Sequence, residues 1–136
     1  MEGVSGQDRP DQGIDEASIE RLVRRFYGRA RVDPMIGPVF EAAITDWEPH
    51  IVRIVDFWSS MMLGTGRYKG SPFAAHMPLP IAPAFFDRWL ALWRETTAEL
   101  FAPEAAEVFN GRAERIAESL KLGLALRAGG VIAERP

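Results

Sequence analysis

Two histidines are the residues of this chain best suited to metal coordination, and their sequence settings differ. His50 lies on the apolar side of a predicted helix, whereas His76 lies in the apolar segment Phe73-Ala74-Ala75-His76-Met77-Pro78-Leu79-Pro80. Because no carboxylate is close to His76 in sequence, its imidazole lacks an obvious partner for acid–base catalysis but suits an axial ligand of haem iron. A lone histidine on an apolar face is more often a hydrogen-bonded core residue, so the pair alone leaves both interpretations open.

The composition limits the classes of protein to which this chain can belong. It has 136 residues, of which 47% are apolar and 26% charged, and this fits one soluble globular domain with a sizeable core. A net charge of -3 gives no electrostatic footprint for nucleic acid, and the densest basic group, Arg21, Arg24 and Arg25, fits a solvated helix face. The absence of cysteine excludes disulfides, iron–sulfur clusters, thiolate-ligated metals and a cysteine nucleophile.

The N-terminal segment carries no recognisable targeting signal. Residues 1–13 are polar and lack the apolar centre of a signal peptide. No apolar run in the chain reaches the roughly 18 residues that suggest a membrane span. We therefore expect a cytoplasmic protein with no membrane partner.

The elements that position the two histidines are predicted to be α-helices. A first helix starts near Ile14, with Asp15 as a suitable N-cap, because apolar residues then follow the i, i+3, i+4, i+7 pattern. The segment Asp33–Pro38 interrupts this helix, since its two prolines break helical hydrogen bonding and Gly37 permits a tight turn. Phe40 follows this corner directly. The apolar stripe of the first helix consists of Ile19, Leu22, Val23, Phe26, Tyr27 and Ala30.

Three further helices follow the corner. The second carries His50 on its apolar stripe and should end near Gly64, and the third and fourth should begin near Pro83 and Pro103. Between residues 65 and 82 the sequence is rich in glycine and proline, so we predict a loop with at most a short helix near residues 71–76. With no alternating strand pattern of useful length, the sequence predicts an all-α domain over residues 14–127, flanked by flexible tails at 1–13 and 128–136.

Several short motifs follow one another along nearly the whole domain, and their order and spacing are more specific than any one of them. They are Phe26-Tyr27, Asp33-Pro34, Gly37-Pro38-Val39-Phe40, His50 with Asp56-Phe57-Trp58, the segment from Tyr68 to His76, and Phe86-Asp87-Arg88-Trp89-Leu90. Together these motifs resemble the group III truncated haemoglobins. The resemblance implies a truncated globin fold, a two-over-two helical sandwich around haem b, and the binding of O2 and other small diatomic ligands.

The resemblance also implies roles for individual residues. His76 matches the proximal ligand of the haem iron, and Tyr27, His50 and Trp89 match the distal positions on the side where the small ligand binds. Their hydroxyl, imidazole and indole groups can all hydrogen-bond to an iron-bound oxygen. Spacing alone would place Trp89 in the core, so its distal role comes from the resemblance. The residues expected to contact the haem are Phe40, Arg53, Ile54, Phe57, Trp58 and Tyr68.

The roles of these haem contacts are not equally defined. Phe40 would pack against the porphyrin face, and Ile54 would restrict access to the distal side. Phe57 and Trp58 could contact haem or simply fill the core, and the sequence leaves this open. Arg53 and Tyr68 are the candidate partners of the haem propionates, although Arg53 could equally be a solvated helix residue.

The polarity of the distal side favours redox chemistry over simple transport. Three hydrogen-bonding side chains around one ligand would hold O2 firmly or polarise a peroxide, which fits nitric oxide dioxygenation or a peroxidase-like reaction. The small ligands would be O2, NO, CO or peroxide, and an external reductase would be needed because the chain has no flavin or nicotinamide motif. Two alternatives remain open: an oxygen or nitric oxide carrier or sensor that acts through a partner, and a helical interaction protein without haem.

Overall fold

The computed structural model describes the backbone of residues 14–69 and 82–133, and the side chains of residues 14–69 and 82–123. Over these residues the chain forms five helices and no strand, which confirms the predicted all-α class. They are α1 (Glu16–Ala30), α2 (Gly37–Ala43), α3 (Trp47–Leu63), α4 (Pro83–Leu100) and α5 (Pro103–Ala133). The short helix predicted near residues 71–76, the N-terminal tail and the last three residues lie outside the described residues, and α5 runs past the predicted domain boundary at residue 127.

The start of α1 is fixed by a reciprocal pair of hydrogen bonds. The backbone N–H of Ser18 donates to the Asp15 carboxylate at 2.9 Å, and the backbone N–H of Asp15 donates to the Ser18 hydroxyl at 2.9 Å. This capping box satisfies two N–H groups that the first helical turn would otherwise leave without partners. It confirms Asp15 as the N-cap and sets the rotation of a helix whose buried face carries Phe26 and Tyr27.

A buried carboxylate organises the corner between α1 and α2. One oxygen of Asp33 accepts the backbone N–H groups of Met35 and Ile36, each at 3.0 Å. The other oxygen accepts Nε of Arg88 at 2.9 Å and Nη2 of the same side chain at 2.7 Å. Since Arg88 belongs to α4, this carboxylate joins the corner to the helix that also carries Trp89.

Gly37 is required at this corner because there is no room for a side chain. A Cβ atom added to it would lie 2.5 Å from the carbonyl oxygen of Arg31, closer than any side chain can approach. Pro38 follows within the first turn of α2, where its missing N–H is not needed and its fixed φ suits a helix. The two prolines predicted only a break in this segment, so the short helix α2, which carries Phe40, was not predicted.

The end of α3 and the segment after it are held close to α1. Gly64 ends the helix in the left-handed region with φ 72°, as the glycine there predicts. Arg67 then pairs with Glu16 at 2.8 Å and with Asp56 at 2.9 Å. The backbone N–H of Tyr68 donates to the hydroxyl of Ser60 at 2.8 Å, so Tyr68 is positioned over α3.

The long helices pack as two pairs around one core. Helix α1 packs against α3, α4 packs against α5, and α1 also contacts α4 and so joins the pairs. The centre of the core is aromatic, with Phe26, Trp93 and Phe109 almost completely buried. Among the described residues, none of the helices is long and apolar enough to cross a membrane.

Candidate functional site

A cavity of about 290 Å³ opens between the helices. Its volume is near the lower end of the range for small-molecule sites, about 300–1,000 Å³, and its walls are mostly aromatic and aliphatic. All the predicted site residues that the structure describes lie on its wall: Tyr27, Phe40, His50, Arg53, Ile54, Phe57, Trp58, Tyr68 and Trp89. His76, the predicted proximal ligand, lies outside the described residues.

Tyr27 is the most enclosed of the predicted polar residues. It leaves the buried face of α1, and its ring makes edge contacts with Phe40 at 5.4 Å and with His50 at 5.5 Å between ring centroids. Burial raises the pKa of the Tyr27 phenol, because the anionic form would lose its hydration. The hydroxyl therefore stays protonated at neutral pH and can donate a hydrogen bond into the cavity.

His50 lies on the same side of the cavity as Tyr27. It occupies the first turn of α3, where the imidazole contacts Tyr27 and also the ring of Trp47, with ring centroids 5.9 Å apart. Trp47 is itself held by the guanidinium of Arg31, 4.2 Å above the ring. The aromatic contacts thus fix where α3 starts relative to α1 and bring the imidazole to the phenol.

Trp89 comes to the cavity from the opposite pair of helices. It is half-buried on α4, makes an edge contact with Phe26 at 5.9 Å, and stacks on Trp93 at 5.8 Å with 11° between the ring planes. Its spacing in the sequence suggested a core residue, and the resemblance suggested a distal one. The structure shows an indole that packs on the core and also forms part of the cavity wall.

The rim of the cavity carries a positive charge. Arg53 is exposed on α3, next to the half-buried Ile54, and it is the only lysine or arginine among the described residues of the wall. Tyr68 is half-buried nearby, with its ring edge-on to Phe57 at 5.2 Å. A cation and a phenol at the rim of an apolar cavity suit an organic ligand that ends in carboxylates.

The cavity is also lined by residues that were not predicted to belong to a site. Trp93 is the most notable, because its side chain is almost completely buried and its indole N–H has no acceptor among the described residues. Its spacing of four residues from Trp89 on one helix was a usable signal. The others are Phe26, Val39, Ala43, Ile44, Phe85, Phe86, Ile116, Ala117 and Leu120.

These residues fit a haem better than a bare metal ion. The side chains described here include no group of three histidines, cysteines or acids that could hold an ion by itself. A flat, largely apolar macrocycle matches the aromatic walls, and its carboxylates match the positively charged rim. The buried indole N–H of Trp93 has no acceptor among the described residues, so no described protein group competes with a ligand for it. Haem needs only one or two protein ligands to its iron, which the histidine content of the chain can supply.

Comparisons with known proteins agree with this geometry. The sequence matches the bacterial-like globin family over residues 12–119. It is 38% identical over 109 residues to the group 3 truncated hemoglobin of Campylobacter jejuni, a match that covers 76% of this chain and 86% of the relative.

Two solved structures extend the match to three dimensions. The crystal structure of the group III truncated hemoglobin from Campylobacter jejuni superposes with a TM-score of 0.78 at 36% identity, covering 82% of this chain and 91% of that one. The truncated oxygen-avid haemoglobin of Bacillus subtilis superposes with a TM-score of 0.71 at 26% identity, covering 82% and 98%. The chain therefore belongs to the bacterial-like globins as a group III truncated haemoglobin, in a family that binds small diatomic ligands such as O2 through haem.

Proposed function

We propose that this globin holds one haem b in the cavity, with His76 as the proximal ligand of the iron. The distal side, formed by Tyr27, His50 and Trp89, would then bind O2 firmly enough for nitric oxide dioxygenation or a peroxidase-like reaction. The observation that supports this most directly is that these three hydrogen-bonding side chains, from three different helices, line one largely apolar cavity. Haem iron, when bound, supplies the redox centre at which the small ligand reacts.

The three distal side chains differ in what they can offer a bound ligand. The Tyr27 phenol is protonated at neutral pH as phenols ordinarily are, and burial raises its pKa further, so its hydroxyl can donate. The indole of Trp89 can only donate, whereas a neutral imidazole at His50 donates or accepts according to its tautomer. A bound O2 carries partial negative charge, and each donor directed at it stabilises the bound state by about 0.5–1.5 kcal/mol.

Two such donors would change the kinetics of O2 release substantially. If each contributes about 1.4 kcal/mol, together they slow dissociation by about a hundredfold. A site that holds O2 this long suits a reaction of the bound oxygen with NO, or the polarisation of a peroxide. A carrier that must release O2 rapidly would not need them.

The remaining wall residues are proposed to hold the macrocycle. Phe40, Phe57 and Trp58 would contact its faces, and Ile54 would narrow access to the distal side. Arg53 and Tyr68 at the rim would bind the propionates, by charge and by hydrogen bonding respectively. Electrons would come from an external reductase, and we propose the cytoplasm as the location.

The distal assignment is tested by O2 dissociation from the ferrous haem protein. We expect Tyr27→Phe to accelerate dissociation by about tenfold, because about 1.4 kcal/mol is lost while the ring contacts remain. Thr97→Val is the control. It removes a buried hydroxyl that donates a hydrogen bond of 2.9 Å to the side chain of Asn110. Since Thr97 does not line the cavity, this variant loosens the fold without touching the ligand. Equal rates in Tyr27→Phe and the wild type would remove Tyr27 from the proposed site.

The reaction is tested separately by turnover. With an electron donor supplied, the wild type should consume NO in the presence of O2, or oxidise a reporter with hydrogen peroxide, faster than free haem does. Fast O2 release with neither activity would instead identify a carrier or sensor that acts through a partner.

A further inference from the structure

Three of the four tryptophans in the chain form one stacked column. Trp93 of α4 stacks both with Trp58 of α3, at 4.7 Å between ring centroids, and with Trp89 of its own helix, at 5.8 Å. The ring planes are inclined by only 17° and 11°, so the π-systems are nearly parallel. All three indoles line the cavity, and the column therefore joins the candidate haem site to the aromatic core.

The geometry of the column is unusual among the aromatic contacts of this protein. Most of the other ring pairs between described residues meet edge-on, as in the contacts of Phe26 with Tyr27 and with Trp93. Edge contacts satisfy packing and quadrupole interactions equally well. Offset-parallel stacking is also a favourable packing geometry, and in addition it brings three redox-active indoles close enough together to share a charge.

The surroundings of Trp93 hinder loss of its Nε1 proton once the ring is oxidised. Indole is among the most easily oxidised side chains, and its one-electron oxidation product is far more acidic than indole itself, so in water at neutral pH it loses the Nε1 proton. The Nε1–H of Trp93 is buried and has no acceptor among the described residues, and its side chain is only 1% exposed. With the proton retained, the charge can be shared with the two stacked indoles, which lowers the cost of holding it in a buried site.

We infer that this column donates one electron when hydrogen peroxide is reduced in the cavity, and that it then holds the oxidising equivalent as a tryptophan radical cation. The inference rests on the proposed haem site and its peroxidase-like reaction. Reduction of hydrogen peroxide to two molecules of water takes two electrons and two protons. One electron comes from the column and the other from the cofactor, the protons come from solvent, and an external one-electron reductant later returns both electrons.

Trp47 provides a matched control for this inference. It is the fourth tryptophan, and its Nε1–H is also buried without an acceptor among the residues described. Its ring contacts Tyr27, Phe40 and His50, and none of the three indoles of the column. Trp47→Phe therefore removes a half-buried indole from the start of α3 while leaving the column intact.

The experiment is freeze-quench electron paramagnetic resonance of the ferric haem protein mixed with hydrogen peroxide. It compares the wild type with Trp93→Phe, Trp58→Phe and Trp47→Phe. Each sample is normalised to its bound haem, and indole-deuterated tryptophan identifies the radical by narrowing its signal. We expect a tryptophan radical in the wild type and in Trp47→Phe, loss of that signal in Trp93→Phe, and a reduced or shifted signal in Trp58→Phe.

The outcomes separate the inference from the function on which it rests. A wild type that binds no haem, or whose haem spectrum does not respond to peroxide, contradicts the proposed function itself. A haem that reacts with peroxide but gives no tryptophan radical, or a tryptophan radical that persists unchanged in either Trp93→Phe or Trp58→Phe, overturns the inference alone. Should one of these variants fold poorly, the other still decides, because the column needs both contacts.

Discussion

Replacement of Asp33 by asparagine tests how far one buried carboxylate supports the corner that carries α2. The Asp33 side chain is 3% exposed and accepts hydrogen bonds from Met35, Ile36 and Arg88. The side-chain amide of the asparagine has only one acceptor oxygen. If that oxygen accepts the backbone N–H groups, the NH2 group faces the Arg88 guanidinium; if it accepts from Arg88 instead, it does so without a negative charge. The variant therefore loses a charge-assisted interaction, which is worth about 1.5–3 kcal/mol for hydrogen bonds to charged groups.

The Arg88 side chain is 44% exposed, so water recovers part of its hydration in the variant. We accordingly expect a loss of about 1.5–2 kcal/mol, towards the lower end of that range. The assay is urea unfolding at neutral pH, with the slope of the transition checked for constancy. Asp87→Asn is the matched control, because this neighbouring carboxylate is exposed and its only ion pair within the described part of the chain is with Lys121 at 3.4 Å; it should change stability by less than about 0.5 kcal/mol.

The pH dependence of this difference gives a second check. The hydrogen bond from Arg88 lowers the pKa of Asp33 below its ordinary value of 3.8 in the folded protein, against the opposing effect of burial. The stabilisation is thus present above that value and is lost as the pH falls through the lowered pKa. The stability gap between the wild type and Asp33→Asn should shrink on acidification. A gap that is absent at neutral pH, or that is matched by Asp87→Asn, would refute the reasoning.

Two further predictions concern glycine and acid stability. Gly37→Ala should destabilise the protein by roughly 1–3 kcal/mol in urea unfolding, because the new Cβ would meet the Arg31 carbonyl oxygen at 2.5 Å. Gly28→Ala, where nothing lies within 4 Å, should be neutral or stabilising by up to about 1 kcal/mol, and equal effects at both sites would contradict the steric argument. Hydrogen bonds from Arg67 and then Ser59 lower the pKa of Glu16 from 4.5 to about 2, so stability that it contributes is present above pH 4.5 and is lost towards pH 2. Glu16→Gln should abolish that part of the acid dependence, measured as the urea midpoint against pH, and an unaltered profile would exclude Glu16 as its source.

The sequence was most informative where one residue's chemistry fixes a helix end. Asp15, Gly64, Pro83 and Pro103 act through local backbone geometry, which does not depend on the rest of the fold. Each of these positions is the cap or first residue of a helix in the structure. The helix α2 was not predicted because Pro38 suggested a break, although proline is equally compatible with a first helical turn.

The site was harder to predict, because it depends on how helices are rotated against each other. Phe57 and Trp58 were ambiguous between cofactor contact and core, and Trp58 lies on the cavity wall while it also stacks on Trp93. Helical spacing groups Trp89 with Trp93 but does not say which indole faces a cavity. That depends on the contact of α4 with α3, to which residues far apart in sequence contribute.

The central claim, that one haem is held by His76, is tested most directly by the visible spectrum of protein produced with haem supplied. The comparison is between the wild type, His76→Ala and His50→Ala, each in ferric, ferrous and CO-bound forms. The account predicts a Soret band of about one haem per chain that is lost in His76→Ala and retained, with an altered ligand spectrum, in His50→Ala. A wild type without a Soret band, or one whose band survives unchanged in His76→Ala, would contradict it.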